Sequence, residues 1–229
     1  MLSILIPSSR ETVYRCVQHI LQVSESVNTD FEIIICSKET LKFSSSKVKV
    51  VREDIDNIGS IKPINECFSE SQGEHFLVTC DDLLISPRAM LVPEFVESDF
   101  FNGRKFKICS IGYQVIHHCY VPYETLEKTD EKITVPILSF PAGSRNVVDT
   151  LLDGVIFNES YKHIAADNWL SWYLNSNGES PVFMPNTPMD YSFDTRAEKS
   201  LSVRERDLHS LKEMISLSQT KDINYNYKV

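Results

Sequence analysis

A chain of 229 residues with 42% hydrophobic and 24% charged residues has the composition of a globular protein with a true core, one large domain or one domain with an elaborated C-terminal part. Its formal net charge of −9 argues against a general nucleic-acid binder, which needs a basic stripe, while leaving room for a local basic pocket. No run approaches the roughly 18 consecutive apolar residues that cross a bilayer. The chain begins on the apolar run Leu2 to Ile6, without the basic segment of a secretory signal, and its six cysteines form no C-x-x-C pair, so a reduced, cytoplasmic protein is expected.

The first half alternates short apolar runs with amphipathic segments. Ser3-Ile4-Leu5-Ile6 reads as a buried strand that stops at Pro7. Ser8 and Glu11 have the spacing of a capping box, and Val13, Cys16, Val17, Ile20 and Leu21 then repeat at helical spacing. Phe31 to Cys36 is a second strand, whose three consecutive isoleucines suggest burial on both faces, as in a parallel sheet covered by helices. Val48 to Val51 is a third strand. Ser60 opens a helix that carries Ile61, Ile64, Cys67 and Phe68 on one face.

The next strand, over 75–80, ends at two adjacent carboxylates, Asp81 and Asp82, before the helix start Ser86-Pro87. Acids there read either as turn residues or as a ligand site, because open α/β sheets bind ligands outside the carboxyl ends of their strands. The β-α-β-β-α-β order predicts an α/β fold with a mixed, mainly parallel central sheet and helices on both faces.

The second half is less regular. Helix is expected over 88–98, a strand or hairpin arm over Lys105 to Ile116, a strand over Ile133 to Phe140 and a short helix over Asn146 to Asp153. An aromatic-rich helix over Asp167 to Asn175 and a short strand over Pro181 to Met184 follow. The last expected element is a charged helix over Ala197 to Ser218 with the stripe Leu201, Leu208, Leu211 and Ile215, a packing or homo-oligomer surface. His117-His118-Cys119 has no shared metal geometry on a strand, where neighbours point to opposite faces.

Taken together, SILIPSSR at 3–10, FEIIICS at 31–37, NIGSIKPINECFSESQGEHFLVTCDD at 57–82 and LLISP at 83–87 resemble the nucleotide-binding half of a family 2, GT-A-fold glycosyltransferase. VVDTLLDGVIFNESYKHIAADNWLSWYL at 147–174 resembles the acceptor half. The resemblance implies a GT-A-like domain over 1–229, with a nucleotide-sugar half at 1–98, an acceptor half at 99–196 and a C-terminal helix and tail at 197–229. It implies transfer of a sugar from a nucleotide diphosphate sugar, a UDP-sugar foremost, to a hydroxyl of a glycan or other acceptor, with inversion and a divalent metal, Mn²⁺ or Mg²⁺.

Within that resemblance Asp82 falls on the metal-ligand position with Asp81 beside it, and Asp167 falls on the general base. Pro7, Ser8, Arg10, Glu11, Ser37, Asn57 and Lys62 fall around the nucleotide, and Trp169 and Trp172 beside the acceptor. Two departures stand out. Cys80 replaces the first acid of the family's Asp-x-Asp, and Cys36-Ser37-Lys38-Glu39 replaces an acid pair after the second strand. The plainer roles stay open: Arg10 as a solvated helix-start cation, Lys62 with Glu66 as a helix pair, Asp167 as an N-cap, the tryptophans as core. A non-catalytic nucleotide-sugar-binding module is the first alternative. A nucleotidyltransferase ranks below it, because PSSRET lacks the glycine-rich loop such an enzyme places after its first strand.

Overall fold

The computed structural model describes residues 1–8, 10–57, 59–111, 123–128, 131–136, 138–162, 166–187 and 189–190. In chain order the elements are β1 (Leu2–Pro7), α1 (Thr12–Ser24), β2 (Phe31–Ser37), β3 (Val48–Arg52), α2 (Ile61–Glu70), β4 (His75–Val78), β5 (Leu84–Ile85), α3 (Val92–Val96) and β6 (Ile108–Ser110). They continue with β7 (Tyr123–Lys128), β8 (Glu131–Pro136), β9 (Pro141–Ser144), α4 (Arg145–Leu151), α5 (Ala166–Ser176), β10 (Val182–Phe183) and β11 (Met189–Asp190).

Seven strands form one sheet in the order β10-β6-β9-β4-β1-β2-β3. Pairing is parallel except on the two sides of β9, which runs against both β4 and β6. This is the mixed, mainly parallel α/β sheet expected. Alternation along the strands feeds two cores. Ile4, Ile6, Ile33, Ile35 and Leu77 pack with α1 and α3, whereas Leu5, Ile34, Phe76 and Val78 pack with α2, α4 and α5. The isoleucine run of β2 is buried on both faces because helices cover both.

Several boundaries differ from the expectation. The helix over 88–98 is a 3₁₀ turn, Pro87–Leu91, followed by α3. Pro93 lies in the first turn of α3, where its missing N–H costs nothing, and would clash in the interior of one continuous helix. Of the strand expected over Ile133 to Phe140, the described strand residues are 133–136, the end of β8; residues 138–140 are not strand, and β9 starts one residue past the expected end, at Pro141. The β9 stretch, Pro141-Ala142-Gly143-Ser144, carries no strand pattern, yet a Cβ on Gly143 would collide with the Lys107 carbonyl, so glycine is what lets β6 and β9 pair. Among the described residues of the 105–116 strand, only Ile108–Ser110 is strand. The rest of that stretch beyond Ile111, the His117-His118-Cys119 triplet and the helix over 197–218 lie outside the described residues.

Two polar side chains fasten α2 to the second half. Asn65 is 5% exposed, and its amide donates to the Phe157 carbonyl (2.8 Å) and Glu159 Oε1 (3.1 Å) while accepting from the N–H groups of Ile156 (3.1 Å) and Phe157 (3.2 Å). Arg145 stacks on Phe68 with its guanidinium carbon 4.1 Å from the ring centre. It donates to the carbonyls of Phe68 (2.9 Å), Ser71 (3.0 Å) and Gly73 (2.8 Å), acceptors at and beyond the end of α2. Asn65→Ala strips partners from buried backbone amides. It should cost about 1–3 kcal/mol, read as a lower urea midpoint with an unchanged denaturant slope.

Candidate active site

The strands β4, β1, β2 and β3 are parallel, so their carboxyl ends share one edge of the sheet. The chain runs from β1 to β2 and β3 on one side, then recrosses through α2 to β4 on the other side of β1. That reversal makes the crevice beside β1 the topological switch point, where such sheets bind ligands. Asp81 and Asp82 follow β4 at that crevice, Ser8 and Arg10 follow β1, and Lys38 and Glu53 follow β2 and β3.

Asp81 is 2% exposed and engaged on both carboxylate oxygens. The Ser8 hydroxyl donates to Oδ2 (2.5 Å), Arg10 Nε donates to the same oxygen (2.9 Å), and Arg10 Nη2 donates to Oδ1. Arg10 Nη2 also lies 3.3 Å from Asp82 Oδ2. The two carboxylates hold the guanidinium well above its ordinary pKa, chiefly through the Asp81 hydrogen bonds. Ser8 is thereby recruited to Asp81 and not to the capping box, and Glu11, the residue at the start of α1, makes no side-chain cap hydrogen bond. Arg10 is no solvated helix-start cation: it ties β1 to β4.

A cleft of about 250 Å³ opens next to this cluster, lined among others by Pro7, Ser8, Lys38, Glu53, Asn57 and Ser60. Glu53 is 6% exposed and accepts from Asn57 Nδ2 (2.8 Å), and Lys38 Nζ donates to the carbonyls of Ile55 (3.0 Å) and Asn57 (2.5 Å), shaping the loop before α2. Gly59, at φ 101°, makes the left-handed turn into that helix. Ser37 is buried at the end of β2 and accepts from the Glu39 N–H (3.1 Å), away from the cleft lining. Lys62 pairs with Glu66 at 3.7 Å, as the helix spacing suggested, and also with Asp54 at 3.7 Å. Lys38 and Glu53 were not singled out in the sequence. Their positions immediately after two parallel strands are the signal that finds them.

Asp167 lies in the first turn of α5. Its carboxylate accepts from the Ser139 hydroxyl (3.1 Å) and from the neighbouring Asn168 N–H (3.0 Å). Ser139 shortly precedes β9, and because β9 opposes β4, its beginning lies at the edge where β4 ends. Topology thus brings Asp167 to the same edge as Asp81 and Asp82. Trp169 and Trp172 are half-buried against the α2–α4–α5 core, and Trp169 stacks on Tyr173 with ring centres 5.3 Å apart.

No family model and no curated protein matches this chain. Solved structures do. S. aureus TarS 1–349 in complex with UDP-GlcNAc superposes with a TM-score of 0.61 at 13% identity, over 97% of this chain and 68% of that one. The same TarS 1–349 in complex with UDP gives 0.56 at 12% identity, over 100% and 75%. The catalytic domain of Drosophila β1,4-galactosyltransferase 7, in complex with xylobiose, gives 0.57 at 10% identity, over 90% and 78%.

The fold is that of the GT-A glycosyltransferases. No helix among the described residues is long and apolar enough to cross a membrane.

Cys16 and Cys80 beside the acids, and Cys109 in β6, are held as thiols. Burial, with Asp81 and Asp82 nearby, pushes Cys16 up to about 12. Burial and the Asp82 carboxylate raise Cys80 well above its ordinary range, and burial alone pushes Cys109 up to about 12. A raised thiol pKa favours the folded state below the ordinary value of 9.0, and that advantage is lost as pH climbs from 9.0 toward 12, since the unfolded chain releases its protons first. Native protein at pH 8 should therefore resist iodoacetamide at Cys16, Cys80 and Cys109. The fall in urea midpoint between pH 8 and about 10 should shrink in a Cys16→Ala/Cys109→Ala variant.

Proposed function

We propose that this chain is a glycosyltransferase that moves a sugar from a nucleotide diphosphate sugar to an acceptor hydroxyl. The observation that carries the reading is the gathering of Asp81, Asp82 and Asp167, from opposite halves of the chain, at the carboxyl edge of the sheet beside a cleft. TarS, similar in fold, is known in complex with UDP-GlcNAc and with UDP, which favours a UDP-sugar donor here. On this reading residues 1–98 take the nucleotide, 99–196 take the acceptor, and the protein works in the cytoplasm.

The cleft between Pro7 and Asn57 takes the nucleoside, with its phosphates directed along β1 toward Arg10 and Asp82. Asp167 takes the proton of the attacking hydroxyl, as a carboxylate can when that hydroxyl becomes acidic in the transition state, and attack from its side inverts the anomeric centre. Ser139 orients that carboxylate, and Trp169 and Trp172 wall the acceptor space. Among the described residues no cluster of three or more His, Cys, Asp or Glu side chains is arranged to hold a metal ion. The acid pair nonetheless suits positive charge, since it already cradles a guanidinium. Asp82, assisted by Asp81, would hold Mn²⁺ or Mg²⁺ together with substrate phosphates and water. Such an ion supplies Lewis-acid stabilisation of the departing diphosphate.

A non-catalytic nucleotide-sugar-binding module is the second reading, favoured by the tight closure of Arg10 on both acids. Turnover separates the two. Asp167→Asn should lower transfer by about 10²–10⁴ while UDP still raises the melting temperature as it does in the wild type. Wild-type transfer by that variant would exclude Asp167 as the base, and UDP binding without transfer to any hydroxyl acceptor by the unaltered protein would favour the binding module.

A further inference from the structure

We infer that Arg10 stands in the cation's place at the Asp81–Asp82 pair, so that a divalent cation is admitted only together with the nucleotide diphosphate that draws Arg10 away. The inference rests on the donor reading above and concerns how that site is loaded. Three features of the crevice lead to it.

The first is occupancy. Arg10 Nε and Nη2 engage both oxygens of Asp81, and Nη2 reaches Asp82 Oδ2 at 3.3 Å. A second cation on the same oxygens meets like charge at contact distance, where repulsion is strong. The second is the different anchoring of the two charges. Asp81 is buried and held by the Ser8 hydroxyl as well as by Arg10, and the Ser8 oxygen accepts the Arg10 backbone N–H (3.2 Å). The acid therefore keeps a partner when the guanidinium leaves. The Arg10 side chain is 35% exposed, on a flexible stem beside the cleft that Pro7 and Ser8 line, and its planar fork fits a phosphate as well as a carboxylate. The third is the shortage of protein ligands. Cys80 stands beside the pair where the resemblance has an acid, and its sulfur is a soft donor that offers no hard oxygen to such a divalent cation.

Together these features couple the two events. The cluster of one guanidinium and two carboxylates has no vacancy for a bare cation. The diphosphate offers Arg10 a new partner and completes the coordination of an ion on Asp82. Arg10 is thus a positioning residue that sets the order of binding.

The experiment is Mn²⁺ titration of the full chain by electron paramagnetic resonance, with and without UDP, alongside melting curves. Wild type should take up Mn²⁺ only when UDP is present. Arg10→Gln should bind Mn²⁺ without UDP at least about ten-fold more tightly than wild type, by removal of the competing charge, and adding Asp82→Asn should abolish the gain. Should Arg10→Gln not fold, Arg10→Lys keeps a charge for Asp81 without the fork that spans both acids, and should shift Mn²⁺ binding in the same direction by less. Mn²⁺ binding to wild type that is equal with and without UDP would overturn the inference. UDP stabilisation of wild type with no Mn²⁺ gain in a folded Arg10 variant would also overturn it and leave the donor reading intact. A gained Mn²⁺ site in Arg10→Gln, with no stabilisation of wild type by UDP, would overturn the coupling and the donor reading together.

Discussion

The carboxylate of Asp81 is the point on which the crevice depends. It is buried just past the end of β4, and its charge is tolerable only because Ser8 and Arg10 reach it from the end of β1. Losing one partner of a buried ion pair costs up to about 3–5 kcal/mol, less here because the Arg10 side chain is 35% exposed and water screens the pair. The same contact fixes the spacing of the two strand ends and aims Arg10 at Asp82. It also leaves the start of α1 without its expected side-chain cap, so helix-end satisfaction is given up locally to hold an acid at a site.

The second half of the chain is brought to that crevice by polar fastenings as much as by hydrophobic contact. Arg145 closes the end of α2 from the start of α4, and Asn65 binds the loop before α5 to the middle of α2. Between them β9 runs antiparallel through the centre of the sheet, which turns its first residues toward the carboxyl ends of β4 and β1. Ser139 lies just ahead of β9 and receives Asp167 there. One reversed strand is thus what puts an acid from residue 167 at the edge defined by acids 81 and 82.

The cleft beside the acids carries a different chemistry. Lys38 and Glu53 place a donor and an acceptor at the ends of β2 and β3, tied into the loop that Asn57 and Gly59 shape. Where the GT-A resemblance leads one to expect an acid pair after the second strand, this chain has Ser37 buried in the sheet and Lys38 at the cleft. A buried carboxylate occurs one strand further on, at Glu53. The polar groups at the cleft are therefore distributed differently along the sheet edge from what the resemblance implies.

By itself the sequence determined the parallel half of the fold. Apolar runs separated by helical periodicity, and an isoleucine triplet buried on both sides, leave little choice but a helix-covered sheet, and the strand-end rule then marks Ser8, Arg10, Asp81 and Asp82 as residues at a ligand edge. The helix α5 and its Asp167 were equally legible, from aromatic spacing and family resemblance. What only the tertiary structure decided is pairing across distance. The β9 stretch is small and irregular in sequence because its place in the sheet is set by close approach to Lys107 and Ile108, not by a pattern of its own. The partnership of Arg10 with both acids could not be read either. A side chain at residue 10 meets one at 81 only after β1 and β4 are laid side by side, and local periodicity carries no information about which strands become neighbours.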